Sequence, residues 1–389
     1  MYKANNPNFY CGSDSEKIEQ ALAFAAQNSL PLEITCRCAG DDRDFWLIDR
    51  AILLPADSVL NIVDCTIQLA DSCRDNFIRS SNCTVGIKKV EPIENITICG
   101  SGNAVLKGAD IPRSTGDSAK VLGERTFGTD AGKAGENPNG DWRNIGILLA
   151  DVSNFSISNI KMIDQHCWGI SLEYCRHGSL KNIVFDARNS KEINGSKVTI
   201  LNQDGIDLRQ GCCYIDIENI SGNTGDDMVA LTGIGPLTEN SVPGGRSTHF
   251  SASVRRGDND NIHHINIKNV RGMCYGKHHI VRLLNTRGVK MHHIDIDGIY
   301  DESPAEYATY ATLKIGDRNP NWGGPNPVGD TAFITVRNVV SNSQCGIAIQ
   351  NSLSDSVFSN IERGANCGDL LKVLDTNIVK NVQFEGLNF

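Results

Sequence analysis

Apolar and polar residues alternate in a six-residue phrase that recurs along much of the chain. Its clear copies are Phe155–Ile160, Ile215–Ile220, Ile265–Val270, Ile294–Ile299 and Ile334–Val339; weaker ones are Gly178–Ile183, Ser356–Ile361 and Val382–Leu387. A period of two sends successive side chains to opposite faces of an extended backbone, so each phrase predicts a strand with one face buried. The fifth residue of every copy is Asn or Gly. Both types tolerate the left-handed backbone of a bend.

Successive phrase ends lie 23, 37, 50, 29, 40, 22 and 26 residues apart. One coil of a repetitive β-structure takes about 20 to 30 residues. The short intervals therefore fit one coil, and the long ones fit two coils or a coil with an inserted loop. An antiparallel sandwich would instead turn every ~8 to 12 residues with no recurring phrase. The pattern predicts an all-β solenoid, a parallel β-helix forming a single domain over residues 1–389. Its stacked Asn side chains are expected to form hydrogen-bonded ladders.

One helical pattern interrupts this near the start, over about residues 13–28. Ser13-Asp14-Ser15 precede a segment with apolar residues at Ile18, Ala21, Leu22 and Ala25, and Ser15 lies in the expected cap region. Such a helix would cover the open end of the solenoid, where unpaired strand edges invite aggregation. Two stretches lack the alternation, about 108–144 and 233–261. The first is rich in Gly, Asp, Lys and Asn, and the second holds Pro236, Pro243, Gly244, Gly245, Arg246, Arg255 and Arg256. Both read as long surface loops that flank a binding face.

Composition agrees with many short strands joined by turns: 37 Gly, 12 Pro and only 6% aromatic residues among 389. A net charge of −9 argues against a nucleic-acid partner, which needs a concentrated basic surface. No apolar run approaches the ~20 residues that span a membrane, and Met1–Pro7 lacks the layout of a signal peptide. The 14 cysteines are scattered, with Cys65, Cys99, Cys175 and Cys345 beside apolar strand positions. They read as reduced, buried small hydrophobes. Neither Cys36 and Cys38 nor Cys212 and Cys213 have a second pair at zinc-ligand spacing. The expectation is a cytoplasmic protein without metal or cofactor, the alternative being an exported one whose signal peptide has been removed. Oligomeric state is not legible.

The candidate chemistry lies in two short runs, Asn202-Gln203-Asp204-Gly205 and Gly225-Asp226-Asp227, with Asp204 and Asp226 22 residues apart. That offset is one coil, which would bring the three carboxyl groups together. Hydrolysis of a glycosidic bond needs one carboxyl group kept protonated and another kept ionised, and crowding like charges separates their pKa values. Asp and Asn beside Gly also serve as ordinary turn residues, so the coil spacing carries the functional reading.

Asn202–Asp207 followed by Gly225–Leu231 resembles the signature of the polygalacturonases, glycoside hydrolase family 28. The resemblance implies a right-handed parallel β-helix and inverting cleavage of pectic α-glycosides. The family's motifs are Asn-Thr-Asp, Asp-Asp, His-Gly and Arg-Ile-Lys, and the first two are matched here in order. It implies Asp204, Asp226 and Asp227 as the catalytic carboxylates, with Asp227 as general acid and the other two activating water, and Asn202 beside the substrate. His278, within Cys274–Ile280, takes the place of the family histidine, with His279 and His249 as further candidates. The Arg-Ile-Lys motif is absent as written; Arg282, Lys314 and Arg318 are the cations available to a sugar carboxylate. Trp168 and Trp322 offer rings for stacking on sugar faces.

The expected function is therefore hydrolysis of a pectic or related oligosaccharide or polysaccharide. One alternative keeps the fold for a uronate lyase or epimerase, with Asp204, Asp207, Asp226 and Asp227 as a calcium site. Another is a carbohydrate-binding β-helix without catalysis.

Overall fold

A computed structural model describes residues 3–38, 41–73, 75–83, 90–111, 142–193, 195–234, 256–286, 288–319 and 324–388. Among them the strands form two long sheets, of 14 and 10 strands, and one antiparallel pair, Ser190–Ile193 with Ser196–Thr199. In both long sheets each strand pairs in parallel with the strand one coil away, the arrangement of a right-handed parallel β-helix.

All eight phrases lie in one register on the first sheet. Phe155 pairs with Gly178, Gly178 with Ile215, and the column continues through Ile265, Ile294 and Ile334. At the far end Ser356 pairs with Val382. The inward positions stack like on like: Ile157, Leu180, Ile217, Ile267, Ile296 and Val336 are all essentially inaccessible. A slip of one residue would turn every one of them outward, so burial fixes the register.

The fifth-position residues adopt positive φ throughout, from 53° to 61° for the asparagines, 91° at Gly298 and 58° at Gly386. Their side chains form the expected ladder. Nδ2 of Asn182 donates to Asn159 Oδ1 at 2.8 Å, Asn219 to Asn182 at 2.9 Å, and Asn269 to Asn219 at 2.7 Å. Gly298 breaks the column, and Asn338 bonds Asp297 instead at 2.7 Å.

The helix runs Asp14–Gln27 and packs Ile18, Ala21 and Ala25 into the same core as the first strands. Its cap is Ser13 rather than Ser15: Ser13 Oγ accepts from Glu16 N, and Glu16 bonds back to the Ser13 backbone. Ser15 is instead buried, its hydroxyl donating to Asp49 at 2.7 Å. The cysteines are thiols rather than disulfides. Cys65, Cys175 and Cys345 are buried as expected, whereas Cys99 is only half-buried because it occupies an outward position of the strand Ile93–Ser101. Cys11, Cys36 and Cys38 are exposed.

Only the edges of the two long loops are described, so Arg246, His249 and Arg255 lie outside the described residues, as does Trp322. Arg256, at the end of the second loop, pairs with Asp151 at 2.7 Å and lies 3.9 Å over the Tyr174 ring. Among the described residues no helix is long and apolar enough to cross a membrane.

Candidate active site

The second sheet assembles the acids. Its inward residues Ile170, Ile206, Val229, Val281 and Leu313 pair in one register. The residues two positions earlier, Trp168, Asp204, Asp227 and His279, therefore form a column just before the strands begin. Backbone hydrogen bonds join its steps: Gly169 N to Asp204 O at 2.8 Å, Gly205 N to Asp227 O at 2.9 Å, and Met228 N to His279 O at 3.2 Å. Neighbouring coils sit about 4.8 Å apart, so Asp204 and Asp227 are adjacent. One residue past the inward position, Ser171, Asp207, Ala230, Arg282 and Lys314 make an outward row on the same sheet.

Close packing of these coils depends on Gly205. A Cβ there would meet Met228 O at 2.4 Å and the Phe185 ring at 2.9 Å. The preceding turn is shaped by Asn202, at φ 56°, and locked by Gln203. Its side chain donates to Gln165 O at 2.8 Å and accepts from Asn189 N at 2.9 Å, while Gln165 Nε2 donates to Asp204 O at 3.1 Å. The two glutamines thus hold the Asp204 backbone. No sequence motif marks Gln165, because its partners Gln203 and Asp204 come from another coil.

The four acids differ in what surrounds them. Asp227 is fully buried and meets Arg282 Nε at 2.9 Å through Oδ2, an ion pair without hydrogen-bond alignment. Its Oδ1 accepts from His279 N at 3.0 Å and lies 2.7 Å from His279 Nδ1. Burial favours the neutral acid, but Arg282 and then His279 outweigh it and hold Asp227 below the usual carboxylate range.

Asp226 faces the other way. Its carboxyl is pushed up to about 6 by burial and by the neighbouring Asp227 charge, with His278 and Arg282 opposing. His278 Nδ1 stands 3.3 Å from Asp226 Oδ1 and is half exposed. Asp204 is raised well above the ordinary value, first by burial and then by Asp226, Asp207 and Asp227. Asp207 is wholly buried and raised to about 8 by burial, and neither of its oxygens has a hydrogen-bond partner among the described residues.

Arg282 and His279 thus favour the ionised form of Asp227, the acid expected from the sequence to donate the proton. Asp226 instead keeps its neutral form to higher pH than an ordinary carboxyl and lies against a half-exposed histidine. Both histidines lie against the acids: His278 contacts Asp226 and His279 contacts Asp227. Burial lowers the pKa of His279 despite the adjacent Asp227.

The cations divide. Arg282 is committed to Asp227, and Lys314, its register partner one coil on, pairs with Asp317 at 2.7 Å. Two neighbouring coils thus supply an Arg and a Lys that no single segment contains. Arg318 reaches away from the acids to Asp375 at 3.4 Å. Trp168 is no exposed platform: it is 6% accessible, packed with Ile145, Leu148 and Cys167, and covered by the Arg209 guanidinium 4.5 Å above its ring. The exposed ring near the site is Tyr310, edge-on to His279 at 6.0 Å, its hydroxyl accepting from Gln350 Nε2 at 2.6 Å. Beside the acids, a groove of ≈ 510 Å³ is lined by Arg188, Asn189, Lys197, Tyr275 and Tyr307.

No family model and no curated protein matches the chain by sequence. Solved structures do match. A polygalacturonase from Erwinia carotovora ssp. carotovora aligns at TM-score 0.50 and 15% identity over 96% of this chain and 91% of its own. Two mutants of the tailspike protein of E. coli bacteriophage HK620, both in complex with a pentasaccharide, align at TM-scores 0.57 and 0.58 with 13% and 12% identity. Each alignment covers 97% of this chain, which spans only 62% and 63% of those tailspike chains. At such identities the likeness establishes the fold, a parallel β-helix.

Proposed function

We propose that the chain is a glycoside hydrolase of the polygalacturonase-like type, cleaving a glycosidic bond in a pectic or related oligosaccharide. The observation that carries this reading is the pair Asp226 and Asp227, adjacent in sequence and opposite in protonation. Asp226 rises to about 6 while Arg282 and His279 keep Asp227 ionised. A proton donor and a base separated in pKa are what glycosidic hydrolysis requires.

In this reading Asp226 protonates the leaving oxygen and Asp227 draws the proton from the attacking water, a single displacement that inverts the product anomer; the donor atoms of the two acids stand within 4.8 Å, so the water requires them to part toward the ~6.5–9.5 Å of inverting pairs. Asp204, one coil away and raised by its neighbours, shares that water from the side. The four acids titrate as a coupled set, so these roles describe the protonation state that prevails below about pH 6. Tyr310 stacks on a sugar face and Lys314 meets a sugar carboxylate. The likeness to a polygalacturonase and to tailspikes holding a pentasaccharide supports a carbohydrate substrate.

The test is turnover of a panel of pectic oligosaccharides, with product anomers read by NMR. Asp226→Asn and Asp227→Asn should each lower kcat by roughly 10²- to 10⁴-fold with the melting temperature retained. Normal turnover in either variant, or a retained anomer, would overturn the assignment.

The lyase reading draws support from Asp226, Asp227 and His278, whose donor atoms lie within 4.8 Å of one another. Against it, an arginine acting as base must give up its proton, and the carboxylates around Arg282 hold it charged. Activity abolished by a chelator, with an unsaturated product absorbing in the ultraviolet, would favour the lyase.

A further inference from the structure

On the outer face of the first sheet, away from the acids, four histidines come together. His263 and His264 belong to the strand Ile262–Cys274, and His292 and His293 to the next coil's strand, Met291–Asp301, where His263 pairs with His292. Strand alternation would send adjacent side chains to opposite faces. Here the second residue of each pair is left-handed, with φ of 54° at His264 and 56° at His293, and neither member of either pair is buried inward except partly. The outcome is a convergence of rings: Nδ1 of His263 lies 2.8 Å from Nδ1 of His264, and Nδ1 of His292 lies 2.8 Å from Nδ1 of His293.

The rings are held in place by stacking. His263 lies over His292 at 5.1 Å and 6°, and His264 over His293 at 4.9 Å and 3°. Tyr214 closes one end of the outer stack at 4.8 Å from His264, and Phe333 closes the other at 5.0 Å from His293. Across the coils, donor nitrogens of His264, His292 and His293 all fall within 4.8 Å of one another. His264 and His293 also line an open groove of ≈ 640 Å³ together with Asp216, Asn266, Asp295 and Thr335. Asp216 accepts from Asn266, and Asp295 pairs with Arg337.

We propose that this histidine cluster is a binding site for a borderline divalent transition ion such as Zn²⁺, held by His264, His292 and His293 with His263 adjoining. Two imidazole nitrogens on one Zn²⁺, each at about 2.0–2.1 Å, stand roughly 2.9–3.4 Å apart. The 2.8 Å spacing within each coil is close to that edge, and a ring rotation brings in the third nitrogen. Imidazole donors select Zn²⁺, Ni²⁺ or Cu²⁺ over the oxygen-seeking Ca²⁺ and Mg²⁺. The groove leaves the ion open to solvent on one side, and its carboxylates favour approach of a cation. A bound ion joins two successive coils through side chains, adding a cross-link to the backbone ladder and the ring stacking already there. The site lies outside the hydrolytic machinery and stands whether or not that reading holds.

The experiment is titration of the full chain, without an affinity tag, with ZnCl₂ by calorimetry. One equivalent should bind at micromolar concentration, and the His264→Asn/His293→Asn double variant should lose at least tenfold in affinity. Asparagine suits both left-handed positions, so the variant keeps the backbone. His292→Asn, outside the left-handed column, reads the same loss independently. Asp226→Asn should bind Zn²⁺ as the parent does. No uptake by the parent, equal uptake by the histidine variants, or loss in Asp226→Asn instead would overturn the proposal.

Discussion

Asn182, Asn219 and Asn269 on the first sheet, and Asp204, Asp227 and His279 on the second, occupy the same kind of place: a column of side chains repeated coil by coil. In the first column each amide gives to the one before it, and Asn182 and Asn219 both give and receive. In the second, carboxyl groups are stacked on one another with a single arginine and two histidines among them. Asp207, in the adjoining row, has no hydrogen-bond partner among the described residues for either oxygen. An amide carries its own donor and acceptor, and a carboxylate carries only acceptors. Identical stacking therefore stabilises one column and loads the other with repulsion and desolvation. That load is what moves Asp226, Asp204 and Asp207 upward and makes the second column chemically useful.

The contrast is sharpened most by pH. If Asp226 is the proton donor, kcat falls about tenfold per unit above roughly pH 6, because the donor form is lost as pH rises through its raised value. His278 opposes that rise, so His278→Asn should move the alkaline limb to higher pH. A limb that stays in place, measured on the same oligosaccharide, would separate Asp226 from the donor role.

A smaller effect is expected in stability. The folded-state value of Asp207 is raised to about 8, far above the ~3.9 of an unfolded chain. The native state then holds one more proton than the unfolded state between those values, and stability drains as pH rises through them. Asp207→Asn removes this dependence. Its melting temperature should exceed the parent's at pH 8 and converge with it below about pH 4. Parallel curves across that range would show that Asp207 is already satisfied.

The smallest change concerns the amide column. Asn219→Gly keeps the left-handed backbone and removes two ladder bonds. It should cost about 1–2 kcal/mol with kcat unchanged. Asn219→Ala adds the left-handed penalty of roughly 1–2 kcal/mol. Denaturant unfolding of the two variants separates the bond from the backbone, and no loss in Asn219→Gly would mean the ladder contributes nothing.

Much of the fold was legible because burial on one face of a strand leaves a period of two, and the bend leaves an Asn or Gly at a constant place. The acids were legible in the same way, since Asp204, Asp226 and Asp227 sit in turns whose spacing equals one coil. The helix cap was misplaced by two residues because Ser13 and Ser15 look alike until Asp49 claims Ser15. Trp168 looked available until Arg209 and the residues around Ile145 covered it. Those partners are remote in the chain.

The sequence by itself determined the repeat, its register and the coil on which each acid sits, because these follow from alternation and counting. Only the tertiary structure decided which acid is ionised. That depends on Arg282 and His279 arriving from the next coil, more than 50 residues later in the chain, and the field of a charge acts through space rather than along the backbone. The same holds for Arg282 and Lys314, which stand side by side only because their strands pair, and for the four histidines, which become a cluster only when two coils stack.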